Sequence, residues 1–467
     1  MKTETKRGNF SGQLGFIMAS AGSAVGLGNI WRFPYLAAKD GGGIFLVCYL
    51  VLALTFGFAL LTTEISIGRK TRQSPLTAYK AIHPKWGFIG ILAYLVPAII
   101  LPYYCTIGGW VFKYLALYVT GGQQASVSDS YFGGYITSSP EPMIWMLIYF
   151  GITAFIVILG VEKGIEKYSR ILMPILVVLI VGIAVFSLTL SHTDETGITR
   201  TGMQGLKVYL IPDFKGMTLR SLMNVIMDAM GQLFFSISVA MGIMITYGSY
   251  AKKDTNLIAS INRIEIFDTA IAFLAGMMII PTVVAFMGKE NMSGGPGLIF
   301  VSLPKIFDAM GGIGRFIGIL FFLIVSFAAI TSSVSVMEAI VSSMMDYFHA
   351  GRKKCSCIVI VYTLIMGIVV CLGYNRWYFE LPLPNGTVAQ ILDLMDYISN
   401  NIFMPLVAFF TSILIGWVAK PKTVIDEVTQ DGKFKFGRQG LYIVMIKYVA
   451  PAMLLLLLLQ SFGIVKF

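Results

Sequence analysis

Long apolar runs dominate the chain, separated by short polar stretches, as in 174–190 and in 441–459, where Lys447 is the only break. About 20 consecutive apolar residues suffice for a helix to cross the hydrocarbon core of a bilayer. Barrel strands would instead alternate apolar and polar positions over about 10 residues, and no such alternation is sustained here. The pattern predicts an all-α integral membrane protein with about eleven transmembrane helices. They fall near 14–36, 43–68, 88–118, 142–161, 168–190, 223–250, 264–287, 315–348, 355–373, 386–418 and 441–464. The loops 191–222 and 288–314 are long enough for short surface helices, and no separate soluble domain is expected.

Two of these helices carry residues that resist regular winding. The first contains Ala21-Gly-Ser-Ala-Val-Gly-Leu-Gly-Asn29, with three glycines in seven residues; each disfavours helix by about 1 kcal/mol relative to Ala. The sixth contains Phe235-Ser-Ile-Ser-Val-Ala-Met-Gly242, where serines compete for backbone hydrogen bonds. If the fold repeats every five helices, the first and sixth correspond. Paired interrupted helices in two halves are a sequence pointer to a transporter's substrate site. Gly22-x-x-x-Gly26 also fits a helix-packing motif, but Asn29 and Arg32 inside the same span favour a functional reading.

The composition agrees with a lipid setting: 56% of the 467 residues are hydrophobic and 13% charged, against about 25% charged in soluble domains. The net charge of +11 does not call for nucleic acid, because the basic residues gather in alternate loops, the positive-inside bias. Lys6 and Arg7, then Arg69, Lys70 and Arg72, then Lys163, Lys167 and Arg170, then Lys252 and Lys253, then Arg352, Lys353 and Lys354 form one set. The stretch 119–141 has none, whereas the loop after the fifth helix, with Arg200, Lys207, Lys215 and Arg220, departs from the rule. The balance places the N-terminus in the cytoplasm and, after an odd number of crossings, the C-terminus outside. No cleavable signal peptide is read at the start. The five cysteines (Cys48, Cys105, Cys355, Cys357, Cys371) and three histidines show no metal-ligand spacing. With no phosphate-binding loop and no nucleophile beside a base, an enzyme is not expected.

The segments Gly22-Ser-Ala-Val-Gly-Leu-Gly-Asn-Ile-Trp-Arg-Phe-Pro34, Gly231-Gln-Leu-Phe-Phe-Ser-Ile-Ser238, Ile245-Thr-Tyr-Gly-Ser-Tyr250 and Thr331-Ser-Ser333 resemble signatures of the neurotransmitter:sodium symporter family, in its bacterial amino-acid transporter branch. The resemblance runs from about Arg7 to the end of the eleventh helix. It implies a five-plus-five inverted-repeat fold with helices one and six unwound mid-membrane. The first repeat would cover 1–190, the second 191–418, and a cytoplasmic loop with helix eleven 419–467. Members commonly have twelve helices; eleven, as in some bacterial relatives, leaves the core intact and suggests a bacterial inner membrane.

The resemblance also implies a site. One sodium ion would be held by Ala24, Asn29, Ser236 and Asp268, a second by Gly22, Val25, Ala328, Thr331 and Ser332. Sodium is a hard cation and takes oxygen ligands. In Ala328-Ala-Ile-Thr-Ser332 the carbonyl and hydroxyls sit one turn apart on one face, although Thr331, Ser332 and Ser333 could equally bond back to their own helix. Asp268 stands where relatives usually carry Asn, and Ala272 where a serine or carboxylate is often found. A fixed carboxylate there could replace the chloride of chloride-dependent relatives; a protonated, merely structural Asp is the alternative. Substrate contacts carried over are Ala24, Leu27, Gly28, Ile100, Tyr104, Phe235, Ser236, Ser238, Met241, Ser332 and Val336. Their apolar character implies an apolar substrate side chain. Met241, flexible, favours a broad pocket that admits aromatic amino acids, while Ile100 narrows it.

Gates are implied at Arg32 and Asp396 outside, with Tyr104 and Phe235 as an aromatic lid, and at Arg7 and Asp346 near Tyr250 inside. Snorkelling of the arginines is the plainer reading of both. Gly164-x9-Pro174 resembles a family motif for unwinding the start of helix five. The expected activity is sodium-coupled import of hydrophobic or aromatic L-amino acids by alternating access, without a chloride requirement. The other readings are a small-aliphatic symporter, or an uncoupled exchanger, channel or sensor on the same fold. The partners expected are the amino acid, sodium and the bilayer, with no nucleic acid and no obligatory protein.

Overall fold

The computed structural model describes residues 8–194, 197–214, 216–292 and 294–465. It is built from helices; its only strands among the described residues are two short antiparallel hairpins, β1 (Ser191–Thr193) with β2 (Thr199–Thr201) and β3 (Leu381–Pro382) with β4 (Val388–Ala389). Nine unbroken helices are long and apolar enough to cross a membrane among the described residues. In the order predicted these are helix two (Gly43–Thr71), three (Pro84–Thr120), four (Glu141–Ile158), five (Val161–Leu188), seven (Leu257–Met287), eight (Gly312–Phe348), nine (Arg352–Leu372), ten (Ile391–Val418) and eleven (Gln439–Ser461). Helix one is a tenth, bent by 53° between Gln13–Ala24 and Gly28–Lys39. Helix six comes in two pieces, Leu219–Ser236 and Ile243–Tyr250.

The boundaries differ from expectation mainly where charge interrupts the apolar pattern. Helix seven starts at Leu257, capped by the Asn256 side chain on the Ala259 N–H at 3.0 Å. Asn262, Arg263 and Glu265 lie within it, and Glu265 is neutralised by Arg438 at 2.7 Å. Helix five starts at 161, with Val161–Glu166 wound as a π-turn rather than unwound; Gly164 is needed there because a Cβ would strike the Ile156 carbonyl. Helix ten starts later than expected because the β3–β4 hairpin occupies 381–389. The loops 191–222 and 288–314 carry the short helices Gly202–Leu210 and Leu303–Ala309.

Burial separates a central group of helices from a peripheral one. About two thirds of the most apolar window of helices three and seven is buried, against one third for helix five, whose Val178 is 71% exposed and Val185 58%. That outward face suits lipid. With no hydrophobic drive between helices in lipid, small residues that let backbones approach are what hold them together. Gly68 of helix two faces the Ile245 carbonyl of helix six, and Gly248 of helix six faces the Ile65 carbonyl in return. Gly108 and Gly109 of helix three accept Tyr149 and Met146 of helix four in the same way. On the Lys252 side, buried Arg69 at the end of helix two bonds Glu427 at 2.5 Å and the Thr255 carbonyl at 2.7 Å. This ties the short helix Lys422–Thr429 to the helical core.

A methyl group added at these crossings must force backbones apart. Gly68→Val and Gly248→Val should each destabilise the fold by about 1–3 kcal/mol, read as a lower melting temperature in detergent. Gly182→Val, on helix five with nothing within 4 Å, should leave the melt almost unchanged; equal losses at all three would point to helix propensity instead of close packing.

Candidate functional site

Helix one breaks where its glycines predict. Val25 is extended (φ −78°, ψ 99°) and its N–H closes the last turn on Ala21. A side chain at Gly26 would lie 2.7 Å from the Ser332 hydroxyl and 3.2 Å from that of Tyr104, and one at Gly28 would enter the Phe235 ring. The freed backbone groups find partners: the Ser332 hydroxyl reaches the Ser23 carbonyl at 3.1 Å and the Val25 carbonyl at 3.3 Å, and the Asn29 side-chain oxygen accepts the Gly26 N–H at 3.1 Å. Such satisfaction is obligatory away from water.

Helix six breaks over 237–242. Ser238 and Ala240 sit at φ +54° and +62° beside Gly242 at +73°. A left-handed conformation costs a non-glycine residue about 1–2 kcal/mol. The surroundings hold it in place: the Ser238 hydroxyl donates to the Ser23 carbonyl at 3.0 Å, and the Ala240 N–H donates to the carboxylate of Glu64 at 2.6 Å. The two breaks thus face each other, joined by Ser23 and Ser238.

Against the breaks lies a buried polar cluster. Asp268 of helix seven accepts from the Ser236 hydroxyl at 2.7 Å, the Asn29 amide at 2.9 Å and the Tyr49 hydroxyl at 3.3 Å. Asn29, Ser236 and Asp268 are fully buried; a carboxylate taken so far from water requires such partners. A second group forms opposite. Thr331 donates to the Phe327 and Ala328 carbonyls, both at 3.1 Å, and its Cβ lies 3.4 Å from where a Gly22 side chain would start. Ser332 bonds Val25 as above. Gly22, Val25, Ala328, Thr331 and Ser332 are therefore brought together. Thr331 bonds back to its own helix, while Ser332 reaches across to helix one.

Between the two groups is a cavity with room for about 20 Å³, lined by Ala24, Ile100, Tyr104, Phe235, Ser238, Met241, Ser332 and Val336, together with Ser23 and Gly26. Of the other expected contacts, Leu27 lines a separate outer cavity of about 500 Å³, Gly28 lies under Phe235, and Ser236 turns to Asp268. Tyr104 and Phe235 line both cavities, so they form the partition between them. Arg32 and Asp396 line the outer cavity with no ion pair between them; Asp396 accepts from Tyr103 at 3.0 Å and Asn400 at 2.6 Å. On the opposite side, Arg7 lies outside the described residues. Asp346 accepts from the Ser74 N–H at 2.7 Å and the Ser74 hydroxyl at 2.5 Å.

Several residues of the site were not anticipated. Ser23 and Gly26 line the inner cavity, Tyr49 and Glu64 hold the cluster and the helix-six break, and Gln232 donates to the Gly28 carbonyl at 3.0 Å. Near Tyr250, buried Glu338 accepts its hydroxyl at 2.6 Å and pairs with both terminal nitrogens of Arg352 at 2.6 and 2.7 Å. A signal for Glu64 and Glu338 was present, since carboxylates inside apolar spans are functional by default. Oxygen donors converging from two broken helices on an apolar cavity suit a cation bound beside a zwitterion.

Comparison with known proteins gives the same picture. The profile of the sodium:neurotransmitter symporter family matches residues 7–124 and 135–467. An uncharacterized sodium-dependent transporter of Bacillus subtilis is 30% identical over 100% of both chains, and one of Methanocaldococcus jannaschii is 31% identical over 96% of this chain and 89% of its own. The human sodium- and chloride-dependent GABA transporter 2 is 26% identical over 91% of this chain and 75% of its own. The crystal structure of MhsT in complex with L-phenylalanine superposes with a TM-score of 0.84 at 33% identity, covering 97% of this chain and all of that one. Family profile, full-length relatives and the pair of facing helix breaks agree: the chain belongs to the sodium:neurotransmitter symporter family, and its fold is that family's five-plus-five inverted repeat.

Proposed function

We propose that the protein imports apolar and aromatic L-amino acids together with sodium by alternating access, with no need for chloride. The observation that carries this reading is the fully buried Asp268–Ser236–Asn29 cluster beside a cavity whose lining has no charged side chain. In this reading Ala24, Asn29, Ser236 and Asp268 hold one sodium ion, and Gly22, Val25, Ala328, Thr331 and Ser332 hold another. The substrate carboxylate sits between the first ion, the Tyr104 hydroxyl and the backbone amides freed in helix one. Its side chain enters the space among Ile100, Met241 and Val336. The complex of MhsT with L-phenylalanine supports an aromatic side chain in a relative.

The cavity holds roughly one water as it stands, so binding requires Tyr104, Phe235 and Met241 to move. Outward opening lifts the Tyr104–Phe235 partition and joins the site to the cavity of Arg32 and Asp396. Inward opening requires the Asp346–Ser74 and Glu338–Arg352 contacts to rearrange beside Tyr250. Sodium entering down its gradient gains about 2.3 kcal/mol per charge per 100 mV of potential. The first and sixth helices, joined through Ser23 and Ser238, move with their repeat partners in the units 1–190 and 191–418, 419–467 completes the bundle, and the N-terminus is cytoplasmic in the plasma membrane.

Radiolabelled amino-acid uptake into proteoliposomes with an inward sodium gradient tests the class. Accumulation with sodium and none with potassium is expected, and Asn29→Ala should raise the sodium needed for half-maximal uptake by roughly 5- to 150-fold, as loss of a buried partner costs about 1–3 kcal/mol. Flux indifferent to sodium would sink the reading. Uptake should be equal in chloride and gluconate; a strict chloride requirement would remove the role given to Asp268. Ile100→Ala should shift competition from leucine toward tryptophan by roughly 10-fold, within the 1–3 kcal/mol that apolar pocket changes supply; no shift would place the substrate side chain elsewhere.

A further inference from the structure

A second large cavity, of about 560 Å³, lies between helices two and seven, on a face where Val47, Leu50 and Ile266 are exposed. Its walls are apolar, including Leu54, Ile266, Ala270 and Phe273, and its back is formed by Phe33 and Tyr49. Ile266 is 64% exposed, so the groove is open along its length to whatever lies beside the protein, which in a membrane-spanning chain is lipid.

One end of the groove is charged. Arg438 donates to the Leu54 carbonyl at 3.0 Å and pairs with Glu265 at 2.7 Å, and both Leu54 and Glu265 line the groove. Arg263 lies one helical turn before Ile266 on the same face of helix seven; it is exposed and makes no ion pair among the described residues. Two guanidinium groups against one carboxylate leave a positive charge at this end, on the side of Arg69 and Lys252.

We propose that this groove binds an anionic phospholipid of the cytoplasmic leaflet, with an acyl chain against Tyr49, Ile266 and Phe273 and the phosphate at Arg263 and Arg438. Arg263 supplies the fork, since a planar guanidinium bonds two phosphate oxygens at once; the terminal nitrogens of Arg438 are held by Leu54, Asn262 and Glu265, so Arg438 adds charge beside it. The groove also adjoins the ion cluster, because Tyr49 presents its ring to the groove and its hydroxyl to Asp268 at 3.3 Å. A chain seated there restrains that ring, so lipid occupancy changes the affinity for sodium; this second half rests on the sodium reading of Asp268.

Native mass spectrometry of the full chain released from nanodiscs of phosphatidylcholine with phosphatidylglycerol tests the site directly. The protein should retain one phosphatidylglycerol. Ala270→Trp, which fills the groove from its exposed side, should lose it, and Val178→Trp on helix five should keep it. Arg263→Gln should lose the preference for phosphatidylglycerol over phosphatidylcholine. Equal retention by wild type and Ala270→Trp, or no retention at all, would overturn the site. For the coupling, the sodium concentration that half-maximally raises the melting temperature should differ severalfold between nanodiscs with and without phosphatidylglycerol in the wild type, and not in Ala270→Trp. Identical midpoints in a sodium-responsive wild type would overturn the coupling alone. Absence of any sodium response would instead remove the sodium reading, and the coupling with it, leaving lipid retention to decide the groove.

Discussion

Backbone polar groups cannot be left without partners inside a membrane, and this protein leaves a helix twice at mid-depth. Everything near the site follows from meeting that demand. Ser332 covers two carbonyls of helix one, Asn29 takes an amide of its own segment, Ser238 bridges back to Ser23, and the carboxylate of Glu64 takes the Ala240 N–H. Each partner comes from another helix or from across the break. The breaks are therefore held open by side chains that take up the freed backbone groups.

How much of this was legible in the sequence depends on the length scale of each signal. The helices could be read because lipid imposes a long apolar pattern, and the first break because three glycines in seven residues are a local statement. Boundaries failed where the solution was remote. Glu265 argues against a membrane helix until Arg438, 173 residues away, is seen to neutralise it. Separations of 176 and 219 residues likewise hid Glu64 behind its partner Ala240 and Tyr49 behind Asp268. Helix six was read from its serines, but its geometry turns on left-handed Ser238 and Ala240, residue types with no such preference of their own. Eight of the residues expected at the substrate site do line the inner cavity; Leu27, Gly28 and Ser236 do not, because adjacent residues of a winding segment face different ways.

The two aqueous faces are built differently. At one of them Arg32 and Asp396 share a cavity without pairing, and Asp396 leans on Tyr103 and Asn400. On the other, Asp346 and Glu338 are each engaged by short hydrogen bonds, and Arg69 fastens the loop helix below. The protein is more open on the first face than on the second, and Tyr104 and Phe235 stand between the larger cavity and the site.

Phe235 and Ser236 are neighbours in the chain, yet the ring lines the cavities and the hydroxyl turns to Asp268. The end of helix six thereby divides two tasks between consecutive positions. Ile100, Met241 and Val336, which shape the apolar space, take no part in the Asp268 cluster. The outline of the apolar space can therefore change one side chain at a time while every hydrogen bond to Asp268 stays in place.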